Sequence, residues 1–261
     1  MLVKLLVLFF TPLISGLFIY FIPKGKNTNY KLLLVFAGSY LFSITIIHIL
    51  PELFRQTIAT EWIGLFVLAG FFLQQLLEYF TSGVEHGHLH AHDHHHGHSH
   101  SHSHSHEPTT NQSVSAIVLL SALCIHAFLE GGMLAQPISM GPHGYDMNAI
   151  LLGIALHRAP AAFALMTVLA VQLGSRSRAI PHLVGFSLAA PIGLLLSTYL
   201  SNIEILTASG MVMLYAVVSG NFLHISTTIV FESSPEHRFN AKKMAVAVIG
   251  ALLAVAVEHM M

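Results

Sequence analysis

In the apolar segment LCIHAFLEGGML, His126 and Glu130 stand four residues apart, the separation that stacks two side chains on one face of a helix. The next apolar segment, ALHRAPAAFAL, carries His157 and Arg158. Imidazole and carboxylate are the usual nitrogen and oxygen ligands of Zn²⁺. A single histidine in such a place is best read as a hydrogen-bonded packing residue; two imidazoles and a carboxylate at one depth predict a divalent-metal site. Upstream, HILPE adds His48 and Glu52, again four apart. Between Glu85 and Glu107 runs EHGHLHAHDHHHGHSHSHSHSHE, with twelve histidines between His86 and His106. That tract has no apolar periodicity and is too repetitive to build one site with fixed supporting contacts. It predicts a disordered, low-affinity metal reservoir centred on His94, His95, His96, His98 and His100, not a reaction centre. A neutral spacer is the plainer alternative.

The elements that must position these residues are set by composition. The chain of 261 residues is 54% hydrophobic and 9% charged, with a mean hydropathy of +0.69. Soluble domains carry about a quarter charged residues, so an all-α integral membrane protein is expected. The net charge of −1 offers no basic patch for nucleic acid. Apolar runs of about twenty residues span a bilayer as helix, and eight are found, at 2–22, 31–53, 62–80, 113–136, 147–172, 179–200, 205–231 and 241–260. The first has the charge pattern of a signal peptide but no small-residue cleavage site, and is read as a helix. Lys24, Lys26, Lys31, Arg176, Arg178, Arg238, Lys242 and Lys243 fall in the connections after spans one, five and seven, against Lys4 and Arg55 on the other side. Positive charge concentrates on the cytoplasmic side. Both termini should therefore face outward and the histidine tract inward.

One membrane domain results: spans one to three over 1–80, the histidine loop over 81–112, the metal-bearing spans four and five over 113–172, and spans six to eight over 173–261. Pro160, Pro191, Gly131 and Gly132 should break their spans locally. Pro160 removes the donor to Leu156 and Pro191 the donor to Ser187. Cys124, the single cysteine, is read as a small packing residue.

These features together resemble the ZIP family of divalent-metal transporters. HAFLEG (His126 to Gly131) is similar to its His-x-x-x-Glu/Asp-Gly signature. LHRAPAAF (Leu156 to Phe163) resembles a branch reading His-Lys-Ala-Pro-Ala-Ala-Phe, and FSLAAPIG (Phe186 to Gly193) the same branch. SGNFLHISTTIVFESSPE resembles the family's Ala-Gly-Thr-Phe-Leu-Tyr-Val segment, and HILPE its His-x-x-Pro-Glu. The resemblance implies a ZIP-like bundle of eight helices in a plasma or inner cell membrane. It implies uptake of Zn²⁺, or of Cd²⁺, Fe²⁺ or Mn²⁺, into the cytoplasm, and a homodimer. His126, Glu130 and His157 would be ligands, with His48 as a fourth and Glu52 beside it. Ala127, Arg158, Ala161 and Ala190 stand where better-known members carry the ligands of a second metal, which implies one metal site rather than two.

Arg158 is then the unusual group. Two isolated charges inside a bilayer are costly, so Arg158 is expected to pair with Glu130 when metal is absent and to weaken metal binding. An arginine paired elsewhere is the plainer alternative. Glu78, Glu232 and Glu258 are read as interfacial, with Glu78 and Glu232 as candidate guides at the exit. His143, His182, His224 and His259 are read as structural or solvent-facing. Three rival readings remain: a cation-diffusion exporter, which should show six spans; a zinc-dependent intramembrane hydrolase, for which no HExxH occurs; and a metal-responsive receptor without net flux.

Overall fold

The computed structural model describes residues 1–21, 30–56, 60–81, 116–136, 147–232 and 241–260. Every described element is helical, and the elements form eight rods. α1 is Leu2–Leu17, continued by a 3₁₀ turn at Phe18–Phe21. α2 runs from Tyr30–Ile44 through a π-helical turn, Thr45–Ile49, into Leu50–Phe54. α3 is Thr60–Thr81, α4 Ala116–Met133, α5 Met147–Gln172, α6 Arg176–Asn202, α7 Ala208–Glu232 and α8 Ala241–Met260. Six segments are long and apolar enough to cross a bilayer: Leu2–Phe21, Leu32–Phe54, Thr60–Phe80, Asn148–Gln172, Arg176–Asn202 and Ala208–Val230. α4 contributes a shorter apolar stretch, Ile117–Met133. The histidine tract, His143, Lys24, Lys26, Arg238 and the side chains of Lys31 and Glu232 lie outside the described residues.

The rods pack as two groups. α1, α4, α5 and α6 surround one core, and α2, α3, α7 and α8 pack on one another beside it. In the first group Leu119, Leu123, Ala127, Leu165, Leu183 and Phe186 share a buried cluster. A larger cluster, including Leu8, Tyr40, Ile154, Leu194, Tyr215 and Phe222, knits the two groups together. Outward faces stay apolar: Leu65, Leu68, Phe72 and Leu76 on α3 and Val248, Ile249 and Leu252 on α8 are exposed. Lipid accepts such faces as readily as a core does, so helix association there depends on close packing and on small residues at the crossings.

The expected local breaks in α4, α5 and α6 are not seen. Pro160 lies inside a continuous α5 and Pro191 inside a continuous α6. Gly131 and Gly132 lie inside α4, where Gly131 serves close approach instead. A Cβ on it would collide with the Ala190 carbonyl, as one on Gly193 would with that of Phe128. α4 and α6 thus meet backbone against backbone. The irregular turn is in α2, where Pro51 follows the π-helical residues Thr45–Ile49. Proline cannot donate to the carbonyl four residues back, here that of Ile47, and π turns gather at functional positions. His48 sits in that turn.

Candidate metal site

His126 and Glu130 come from α4 and His157 from α5, and all three side chains are buried, at 3%, 0% and 5% exposure. The helical repeat brings His126 Nε2 to 3.0 Å from Glu130 Oε1. The imidazoles of His126 and His157 meet edge to face, with centroids 5.9 Å apart and planes at 88°. One ligand atom from each residue lies within 4.8 Å of the others. Ligands about 2.0 Å from a tetrahedral zinc are about 3.3 Å apart, so a modest inward movement of side chains would bring the three to metal-binding distance. Three such ligands would leave the fourth position of a tetrahedral zinc open. Among the described residues this is the group of three able to hold a metal.

Arg158 follows His157 on α5 and is 1% exposed. Its Nε lies 3.9 Å from Glu130 Oε2, the pairing expected from the sequence. Its Nη2 donates to the Phe186 carbonyl at 3.1 Å, and its guanidinium carbon lies 4.9 Å from the centre of the Phe186 ring. Phe186 is on α6, which the Gly131 and Gly193 crossing holds against α4. On the other side of α5, Ser15 of α1 donates to the Ala159 carbonyl, between Arg158 and Pro160. Lys4 donates to the carbonyl of Leu134 just past the end of α4 at 2.9 Å. Neighbouring helices therefore pin both site-bearing rods. Ala127, Ala161 and Ala190 are buried, and Cys124 packs against the cluster that includes Ala127.

His48 is not brought to this group. Its Nδ1 lies 2.5 Å from Glu258 Oε1 of α8. Glu52 is 3.5 Å from Arg55 and, through Oε1, 3.5 Å from the Gln56 amide nitrogen. Glu258, read from the sequence as merely interfacial, is thus the partner of His48. His224 also has a partner that the sequence does not reveal: its Nε2 lies 2.6 Å from Glu78 Oε2. The Phe71 ring meets its imidazole edge to face at 4.8 Å. These pairs are separated by 210 and 146 residues, beyond any local pattern. His182 is half-buried and His259 is exposed, its Nδ1 3.0 Å from the Val255 carbonyl.

A family model described as ZIP zinc transporter matches residues 81–258, most of the chain and all of the site. The chain belongs to the ZIP family. The matched range includes HAFLEG, which resembles a ZIP signature and carries His126 and Glu130 on α4. Among curated relatives, a protein named zinc transporter ZIP9 from Macaca fascicularis is 36% identical over 115 residues, 41% of this chain and 47% of that protein. Zinc transporter ZIP9 of Xenopus tropicalis is 35% identical over 123 residues, 44% of this chain and 39% of that protein. The matched part of this ZIP chain spans about half the length of those relatives or less.

Proposed function

We propose that this chain carries zinc across the membrane into the cytoplasm through a single site formed by His126, Glu130 and His157. The observation that supports the reading most strongly is the meeting of these three side chains, from two helices, within 4.8 Å in a sealed interior. Two imidazoles favour zinc over harder ions such as Mn²⁺. Family membership and relatives named as zinc transporters point the same way and stand against the hydrolase. Cd²⁺ and Fe²⁺ are secondary cargoes in this reading, and His48 with Glu52 lies on the approach to the site rather than in it.

The reading has all eight rods crossing a plasma or inner membrane, with both termini outward and the loop over 81–112 in the cytoplasm. The distribution of Lys and Arg supports that orientation. Residues 113–172 form the metal-bearing unit, 1–80 and 173–261 flank it within one membrane domain, and two chains form a homodimer.

The test is zinc flux into liposomes loaded with a zinc-sensitive dye. The unaltered protein is expected to admit zinc, whereas His126→Ala and His157→Ala should each weaken zinc binding by roughly 100-fold or more, since even the loss of supporting contacts costs ~10–100-fold, and should abolish flux. Absence of flux in a folded, unaltered preparation would sink the proposal in favour of a receptor. Flux that survives both substitutions would remove the site.

A further inference from the structure

We propose that the Tyr40 and Tyr215 hydroxyls form a latch that holds the metal site shut and sets how fast zinc enters and leaves it. The inference rests on the transport reading above and deepens it by naming contacts that opening must break.

Two observations carry it. The triad is sealed, at 3%, 0% and 5% exposure, so an ion reaches it only when packed helices part. The second is where hydroxyls of the second helical group land on the first. Tyr215 of α7 donates to the Gln136 carbonyl at 3.0 Å, just past the end of α4 and beyond Glu130. Tyr40 of α2 donates to the Ala149 carbonyl at 3.2 Å, in the first turn of α5 ahead of His157. Both tyrosines are fully buried. They share one cluster with Met133 and Leu134 at the end of α4 and with Ala149, Ile150 and Ile154 of α5. Gly153 clears the space for Tyr40, since a Cβ there would lie 3.1 Å from its ring. The two hydroxyls thus tie both site-bearing helices to α2 and α7 at the ends where α4 finishes and α5 begins.

The surroundings explain why these bonds act as a latch. Apolar contacts in the cluster are non-directional and re-form after a small slide, whereas a hydrogen bond needs its acceptor at about 3 Å. The last carbonyls of a helix have no donor within it. With the helices packed, Tyr215 supplies one to the Gln136 carbonyl; with the helices parted, water does. Loss of a hydroxyl therefore penalises the shut arrangement alone. Lys4 differs, because it donates to the Leu134 carbonyl from α1, inside the same group as α4, and can travel with it.

The experiment mixes the full-length protein in nanodiscs rapidly with zinc and, once loaded, with a chelator. The zinc followed is the fraction that His126→Ala fails to hold. In the unaltered protein the rate of binding should level off as zinc rises, because opening becomes limiting. A rate that keeps rising in proportion to zinc overturns the proposal, and this arm needs no variant. Tyr40→Phe and Tyr215→Phe should each speed both binding and release by ~2–10-fold, the worth of one hydrogen bond, and leave the equilibrium affinity nearly unchanged. Tyr199→Phe, at an exposed position on α6, should change neither rate. A tyrosine that merely shaped the site would lower affinity instead. Unchanged rates, or lost affinity, in the folded Tyr40→Phe and Tyr215→Phe proteins overturn the proposal. Zinc binding indifferent to His126→Ala overturns the transport reading itself and this inference with it.

Discussion

Glu130 is the residue on which the site turns, because it serves two partners at once. Its carboxylate answers the His126 imidazole at one oxygen and the Arg158 guanidinium at the other, with no exposure to solvent. Removing one member of a buried ion pair costs about 3–5 kcal/mol, because the survivor is left uncompensated, whereas removing both is often nearly neutral. Glu130→Ala should therefore lower stability by about that amount in detergent, and the double substitution Glu130→Ala with Arg158→Met should recover most of it. Thermal unfolding of the four proteins of this cycle provides the check. Additive losses would mean that the two charges do not stabilise each other. Zinc should raise the melting temperature of the unaltered protein but not of either Glu130 variant, since ligand binding stabilises only a state that binds.

At the scale of elements, the site depends on how closely α4 and α6 approach. Gly131 and Gly193 allow backbone contact there, and that contact sets where Phe186 meets Arg158. Small residues at a crossing replace the hydrophobic drive that lipid removes. Gly131→Ala should cost about 1–3 kcal/mol as an overpacked contact and should also weaken zinc binding, although residue 131 is not a ligand. A Gly131→Ala protein with unaltered zinc affinity would mean that the α4–α6 spacing does not position the site. The π turn in α2 acts on another element: it carries His48, whose ring meets Glu258 on α8. The expectation of His48 as a fourth ligand came from the family resemblance alone, and its meeting with Glu258 joins helices that no local pattern connects.

For the whole molecule, the division into two helical groups puts the triad, Arg158 and Phe186 in the first group. The second group holds the His48–Glu258 and Glu78–His224 pairs. In the proposed transport reading, the histidine tract between α3 and α4 is an accessory. Deleting residues 86–106 should leave zinc flux measurable while reducing metal retained on the cytoplasmic side. Loss of all flux in a folded deletion would give the tract an essential role. Imidazole has an ordinary pKa of about 6.5, so the tract's capacity for metal should fall as the surrounding solution acidifies from about pH 7.5 to pH 5.5. Metal titration of the isolated tract peptide checks the direction: protonation removes the ligand lone pair, so retention must decrease with falling pH.

What the amino-acid sequence determined by itself was everything that depends on near neighbours. Helical rods follow from apolar runs, and their ends were legible to within a few residues. His126 and Glu130 were legible as a pair because four residues make about one turn. His157 could be added because a second apolar run placed it at matching depth. Arg158 as the partner of Glu130 followed from the cost of isolated charge in lipid. Only the tertiary structure decided the rest. Phe186 as the anchor of Arg158, Glu258 as the partner of His48 and Glu78 as the partner of His224 each join helices distant in sequence. No periodicity encodes such meetings. Pro160 and Gly131 were misread for the same reason. Whether a proline breaks a helix, or a glycine ends one, depends on what packs against it. Here Ser15 beside Pro160 and the Ala190 carbonyl against Gly131 come from helices that the local sequence does not contain.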